Sequence, residues 1–206
     1  MPVLWDVDTQ VDFMLPEGKL YAPGAEQTRA AMGRLVDAAR QAGIVHVASV
    51  DDHELTDPEI SPEPDFENTY PPHCLRGTRG ALKIPETEQL DALPLGSTPY
   101  PPGLLRELVR DRREILLLKK SHSVFTNPSA EPLLQILDPA EIVLFGVATD
   151  VCDHAAIMGL LDRGRRVAFV EDAARGLSET RVAECTRLWR ERGVRFATVA
   201  DVTSNW

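Results

Sequence analysis

Short apolar runs that do not alternate with polar residues recur along this chain, and helical spacing follows nearly every one. Ile142-Val143-Leu144-Phe145 is one such run, and after it Ala155, Ala156, Leu160 and Leu161 return at helical spacing. An apolar run without alternation reads as a strand covered on both faces. Strands are expected over Val3–Val7, Ile44–Ser49, Ile115–Leu118, Ile142–Phe145, Val167–Val170 and Phe196–Val199. Helical patterns fall at Gln27–Gln41, closed by Gly43, and at Pro102–Arg112, Glu131–Leu137, Asp150–Arg163 and Ser178–Arg192. Such alternation predicts an α/β fold, a single three-layer α/β/α domain over residues 1–206 with a mainly parallel, six-stranded sheet.

Two stretches break the rhythm, Asp51–Pro85 and Thr87–Pro101, both rich in Pro, Asp, Glu and Thr. Loops of that length inside a compact domain are usually functional or unstructured. In open α/β sheets ligands bind beyond the carboxyl ends of the strands. Those ends carry Asp8 after the first strand, Asp51 and His53 after the second, Lys119 after the third and Cys152 after the fourth. No GxGxxG follows an early strand, which argues against a dinucleotide site. A net charge of −10 with both signs interspersed argues against nucleic acid or an anionic membrane as partner. The three cysteines, Cys74, Cys152 and Cys185, are odd in number and contain no CxxC pair. They fit a reduced, cytoplasmic compartment better than a disulfide framework. The chain enters a strand at once, so no signal peptide is expected. No apolar stretch approaches the ~20 residues of a membrane span.

The fourth strand, stopping at Gly146, delivers Cys152 into the start of a helix. There, unpaired backbone N–H groups and the positive end of the dipole favour thiolate, the nucleophilic form. The competing reading is a small buried hydrophobe. Asp8 is likewise either a proton acceptor or a turn cap. His53 and His73 are either metal ligands or solvated loop histidines. D-x-H at Asp51 and His53, with a distant P-P-H at His73, offers carboxylate and imidazole donors suited to zinc or iron. Lys119 and Lys120 lie on opposite sides of their strand. His46 falls within the second strand, His122 and His154 belong to no motif, and Cys74 and Cys185 read as structural.

Three motifs occur in order: D-x-Q-x-D-F (Asp8, Gln10, Asp12, Phe13), K-x-x-x-S-V-F from Lys119, and G-V-A-T-D-V-C ending at Cys152. Together they resemble the isochorismatase-like cysteine hydrolases, over Val3 to about Leu177. The segment Y-P-P-H-C-L-R-G-T-R-G-A, Tyr70 to Ala81, is similar to the metal-binding segment of nicotinamidases. The resemblance implies a Rossmann-like sheet and a catalytic set of Asp8, Lys119 and Cys152, the motif spacing selecting Lys119 over Lys120. It implies a cis peptide at Val147–Ala148 that aims the Ala148 N–H, beside that of Cys152, at an oxyanion. It implies one divalent metal on Asp51, His53 and His73, zinc first, with iron or manganese as alternatives. Many nicotinamidases carry a third histidine between the two, and this chain has none there. A carboxylate among Asp57, Glu59, Asp65 and Glu67 takes its place, Glu59 being preferred by spacing, or else water does. Phe13 and Tyr70 stand where the family often packs aromatics against a pyridine ring, though such aromatics are as often plain core.

The implied function is hydrolysis of nicotinamide to nicotinate and ammonia, a step of NAD salvage. A small carboxamide is then the partner, and a homo-oligomer is left open. Two rival readings stand: an amidohydrolase for another small carboxamide or ureido compound, and a catalytically inactive module for protein association. The metal segment counts against the first, and intact Asp8, Lys119 and Cys152 count against the second.

Overall fold

The computed structural model describes residues 1–204 and 206. Its strands are β1 (Val3–Val7), β2 (Val45–Asp51), β3 (Leu93–Leu95), β4 (Glu114–Lys119), β5 (Ile142–Val147), β6 (Val167–Arg175) and β7 (Arg195–Ala197). They form one sheet in the order β3–β4–β2–β1–β5–β6–β7, with every pairing parallel. The sheet thus has seven strands where the sequence pattern predicts six. The extra one, β3, is Leu93-Pro94-Leu95 at the sheet edge. Pro94 has no N–H to give a ladder, so its strand is tolerated at an edge and is hard to read from sequence. β5 does not stop at Gly146 but continues to Val147. The last strand ends at Ala197, because Thr198 caps a helix with its side chain and Asp201 returns the bond.

The helices are α1 (Val11–Met14), α2 (Arg29–Gln41), α3 (Pro102–Val109), α4 (Ala130–Leu137), α5 (Cys152–Asp162), α6 (Glu179–Glu191) and α7 (Val199–Thr203). They sort to the two faces of the sheet by the alternation of strand side chains. Val3, Trp5 and Val7 of β1 pack with Leu105 of α3, Leu133 of α4, Ile157 of α5 and Trp189 of α6. Leu4 looks the other way, toward Met32, Leu35, Val36 and Ala39 of α2 and Val202 of α7. Those α2 positions recur at i, i+3, i+4 and i+7, one stripe of a helix.

Strand order reverses at β1: the chain builds outward through β2 and β4, then crosses to β5 on the other flank. A crevice opens beyond the carboxyl ends of strands at such a switch point. The long segment after β2 folds over that crevice. Among the described residues between β2 and β3 it forms only single-turn helices and isolated bridges, His53 with Leu75, Ile60 with Tyr70 and Lys83 with Gln10.

Candidate active site and metal centre

Asp8 leaves β1 in a left-handed conformation, φ 53°, which turns its carboxyl into the crevice. Ser49 Oγ of β2 donates to Asp8 Oδ1 at 2.8 Å. Lys119, the last residue of β4, is 1% exposed and sets Nζ 2.9 Å from Asp8 Oδ2, 3.8 Å from Cys152 Sγ, and in direct contact with Asp51 Oδ1. Lys119 and Asp8 form a buried ion pair, and the Asp8 carboxylate is also within hydrogen-bonding reach of the Cys152 thiol. Lys120, on the opposite side, is half-buried and pairs with Asp57 at 2.9 Å.

Burial dominates the proton affinities here. It pushes the Cys152 thiol well up, with Asp8 and Asp51 adding to the rise and Lys119 opposing it. Burial thus opposes the thiolate that the lysine favours. Burial also raises Asp8, helped by Asp51 and opposed by Lys119. Burial works against charge on Lys119 too, but Asp51, Asp8 and Cys152 outweigh it and hold the ammonium protonated. Removing that ammonium would leave two buried carboxylates unpaired, a loss on the order of 3–5 kcal/mol.

Behind the thiol the Val147–Ala148 peptide is cis. The turn is held by Thr149 N–H to Arg175 O, and by Val151 and Asp153 N–H to Ala148 O. None of these bonds uses the N–H of Ala148 or Cys152.

Asp51, His53 and His73 bring one carboxylate oxygen and two ring nitrogens within 4.8 Å of one another, all buried. Asp51 Oδ2 lies 3.8 Å from His53 Nε2 and 3.5 Å from His73 Nε2. The outer ring nitrogens are already engaged: His53 Nδ1 with Asp57 Oδ2 at 3.2 Å, His73 Nδ1 with Pro71 O at 2.8 Å. Such outer partners fix tautomer and ring direction in metal sites. His53 Nε2 is buried with no hydrogen-bond partner, and burial lowers this histidine's proton affinity, leaving a lone pair aimed at the cluster. An orphaned imidazole nitrogen beside a second one and a carboxylate is a donor set that fits zinc or iron. Burial works against charge on Asp51, yet Lys119 and the two histidines hold it far below the usual carboxylate range.

Of the carboxylates weighed for a further ligand, Asp57 is committed to His53 and Lys120, and Asp65 to the N–H groups of Glu67, Asn68 and Thr69. Glu67 is exposed. Glu59 is buried and lines the same cavity as Asp51 and His73, outside the tight three-residue set.

That cavity has Cys152 and Ala148 on one wall and Asp51, His73 and Glu59 on another. Phe13 and Tyr70 both line it, with ring centroids 5.4 and 6.2 Å from that of His73. Leu20, His122, Val151 and Leu177 complete the wall and were not foreseen. His122 carries no motif, and the apolar three lie on turns whose approach no periodicity encodes. His46 stays inside the sheet against Asp6 at 3.3 Å, and His154 stacks on Trp189. Cys74 is fully buried and Cys185 half-buried.

A family model described as the isochorismatase domain matches residues 3–203. The chain belongs to the isochorismatase family. Solved structures share the fold of this family member at low identity. Pyrazinamidase of Pyrococcus horikoshii, in complex with zinc, is 20% identical over 96% of this chain and 98% of its own, TM-score 0.76. N-carbamoylsarcosine amidase from Thermoplasma acidophilum is 22% identical, covering 96% of each chain, TM-score 0.71. An isochorismatase family protein from Desulfovibrio vulgaris reaches TM-score 0.78 at 18% identity, over 99% of this chain and 97% of that one. No curated protein sequence matches the chain.

Proposed function

We propose that this isochorismatase-family protein hydrolyses nicotinamide to nicotinate and ammonia through a thioester on Cys152. The observation that carries the reading is one cavity lined by Cys152, by Asp51 and His73 of the metal-capable set and by two aromatic rings. Asp8 takes the thiol proton as Sγ forms a bond to the carboxamide carbon, and the carbonyl π pair moves to oxygen. The N–H groups of Ala148 and Cys152 are the donors for that oxyanion. Collapse expels the amine, which leaves as ammonia with the proton from Asp8. Asp8 then takes a proton from water; the hydroxide attacks the thioester, nicotinate forms, and the thiol recovers the proton. The raised proton affinity of Asp8 suits a group that must both accept and deliver a proton. Lys119 stays charged and balances the negative charge that passes between Asp8, Sγ and oxygen.

Asp51, His53 and His73 would hold a divalent ion, zinc by donor chemistry, which when bound supplies a Lewis-acidic position for a pyridine nitrogen. Phe13 and Tyr70 then flank the ring. The pyrazinamidase solved with zinc supports this choice, since its name and its metal both point to a nitrogen heterocycle carrying a carboxamide. NAD salvage in the cytoplasm is the setting that such a reaction serves.

The test is ammonia release by purified, metal-assayed protein offered nicotinamide, benzamide and N-carbamoylsarcosine. Nicotinamide should turn over far faster than benzamide, which lacks the ring nitrogen, and Cys152→Ala should abolish release while keeping the fold. Equal rates on benzamide, preference for the ureido compound, or an active Cys152→Ala variant would overturn the reading.

A further inference from the structure

Asp8, Gln10 and Asp12 stand two residues apart on the single segment that leaves β1 and enters α1. Only Asp8 enters the reaction proposed above, yet Gln10 is fully buried and Asp12 is 6% exposed. We infer that Gln10 and Asp12 are positioning residues for the Asp51–His53–His73 set, each gripping the backbone of one metal-capable residue or its neighbour. The inference rests on the metal half of the proposed function.

The pairing of β1 with β2 ends at Val7 and Ser49, because Asp8 turns the chain away. β2 runs two residues further, to Asp51, with its inner edge unpaired by any strand. Gln10 fills that gap with its side chain. Its Oε1 accepts from Asp51 N–H at 2.7 Å, and its Nε2 donates to Asp51 O at 2.8 Å and to Ala81 O at 2.9 Å. A primary amide is the one side chain that offers acceptor and donor side by side, as a backbone partner would. Asp51 is thereby fixed between Gln10 and Lys119, its register partner on β4.

Asp12 does the same for the far loop. Its Oδ2 accepts from Cys74 N–H at 2.7 Å and its Oδ1 from Lys19 N–H at 3.0 Å. Cys74 directly follows His73 and sits at φ 44°, a left-handed conformation that must be held by its surroundings. A Cβ on Gly80 would fall 2.2 Å from an oxygen of Asp12, so the loop closes on this carboxylate only with glycine there. The peptide after His73 is pinned by Asp12 and its ring by Pro71 O, and together these fix the direction of Nε2. One five-residue segment, Asp8 to Asp12, therefore sets the proton shuttle and both halves of the metal-capable set in a common frame.

Groups that orient metal ligands typically cost 10–100-fold in affinity when removed. Zinc affinity by equilibrium dialysis, with zinc content per chain, is measured on wild type, Gln10→Ala, Asp12→Asn and Glu114→Gln. Glu114 accepts from Leu90 and Asp91 N–H at the other end of the sheet, so its variant reports a weakened side-chain-to-backbone tie without contact to the cluster. The expected result is a zinc Kd raised roughly 10–100-fold in the Gln10 and Asp12 variants and unchanged in Glu114→Gln. At saturating zinc their kcat should return toward wild type while KM stays raised. Should Gln10→Ala fold poorly, Gln10→Glu keeps an acceptor for Asp51 N–H, loses both donations and gives the same readout. Wild type holding one zinc with unchanged Kd in both variants overturns the inference alone. Wild type that takes up no zinc overturns the metal reading and the inference with it.

Discussion

Asp153 follows Cys152 directly and is wholly buried, with neither carboxyl oxygen in a hydrogen bond of normal geometry. Thr149 lies near enough to favour its charged form slightly, but burial and the charges of Asp8, Asp6 and Asp150 raise its proton affinity well above the usual 3.8. Folding thus favours its neutral form. The folded state therefore binds this proton more tightly than the unfolded chain does. Its contribution to stability is intact below the unfolded value of 3.8 and is lost progressively as pH rises above it. Asp153→Asn keeps the shape and cannot ionise. The stability of Asp153→Asn relative to wild type, from urea unfolding between about pH 4 and pH 8, should rise with pH and reach on the order of 1–3 kcal/mol. A difference that stays flat across that range would mean that Asp153 is ionised or solvated in the folded state. The same residue illustrates a limit of sequence reading. The motif ending at Cys152 marks that cysteine at a strand end, while nothing in the run Cys152-Asp153-His154 says which side of α5 closes on β1.

The strand–turn–helix unit of β5 and α5 depends on one close approach. Gly146 has φ 146°, and a Cβ there would lie 2.1 Å from Val7 O and 2.8 Å from Val7 Cβ. Val7 precedes Asp8, so β1 and β5 can carry Asp8 and Cys152 into one crevice only while position 146 lacks a side chain. Gly146→Ala should cost about 3 kcal/mol or more and depress ammonia release along with Tm. Gly164→Ala, also at positive φ (68°) but with open space around it, should cost only about 1 kcal/mol. Equal losses in the two variants would show that backbone conformation, and not the approach to Val7, is what glycine supplies. This element was largely legible: an unalternating apolar run, then helical spacing, gave β5 and α5 within two residues. β3 was not, since three residues with a central proline carry no period and owe their strand geometry to β4 alone.

Over the whole molecule, the site was legible because parallel α/β sheets gather their carboxyl ends at one rim, which brings Asp8, Asp51, Lys119 and Cys152 together from four strands. What stayed hidden is how the segment from 52 to 85 folds back over that rim. Its ties cross long stretches of sequence, side chain to backbone from Asp12 to Cys74 and Gln10 to Ala81, and side chain to side chain from Lys83 to Asp6 at 2.7 Å. Such bonds have no period for a sequence to display. They also leave this segment poorly supplied with apolar anchors, with Leu55 68% and Phe66 58% exposed. A metal on Asp51, His53 and His73 would cross-link the end of β2 to the loop and bind the folded state alone. At roughly a hundredfold excess over Kd such binding adds about 2.7 kcal/mol, which for a domain of this size is a rise in Tm of roughly 5–10 °C. Zinc should therefore raise Tm by that amount in wild type and in Cys152→Ala, slow proteolysis between Leu55 and Phe66, and act reversibly on chelation. His73→Ala should lose both effects. We propose further that the chain is one folding unit, so the shift should move a single calorimetric transition as a whole. A zinc shift that persists in His73→Ala would assign the ion elsewhere, and a shift confined to a separate low-temperature transition would mean that the loop unfolds independently of the sheet.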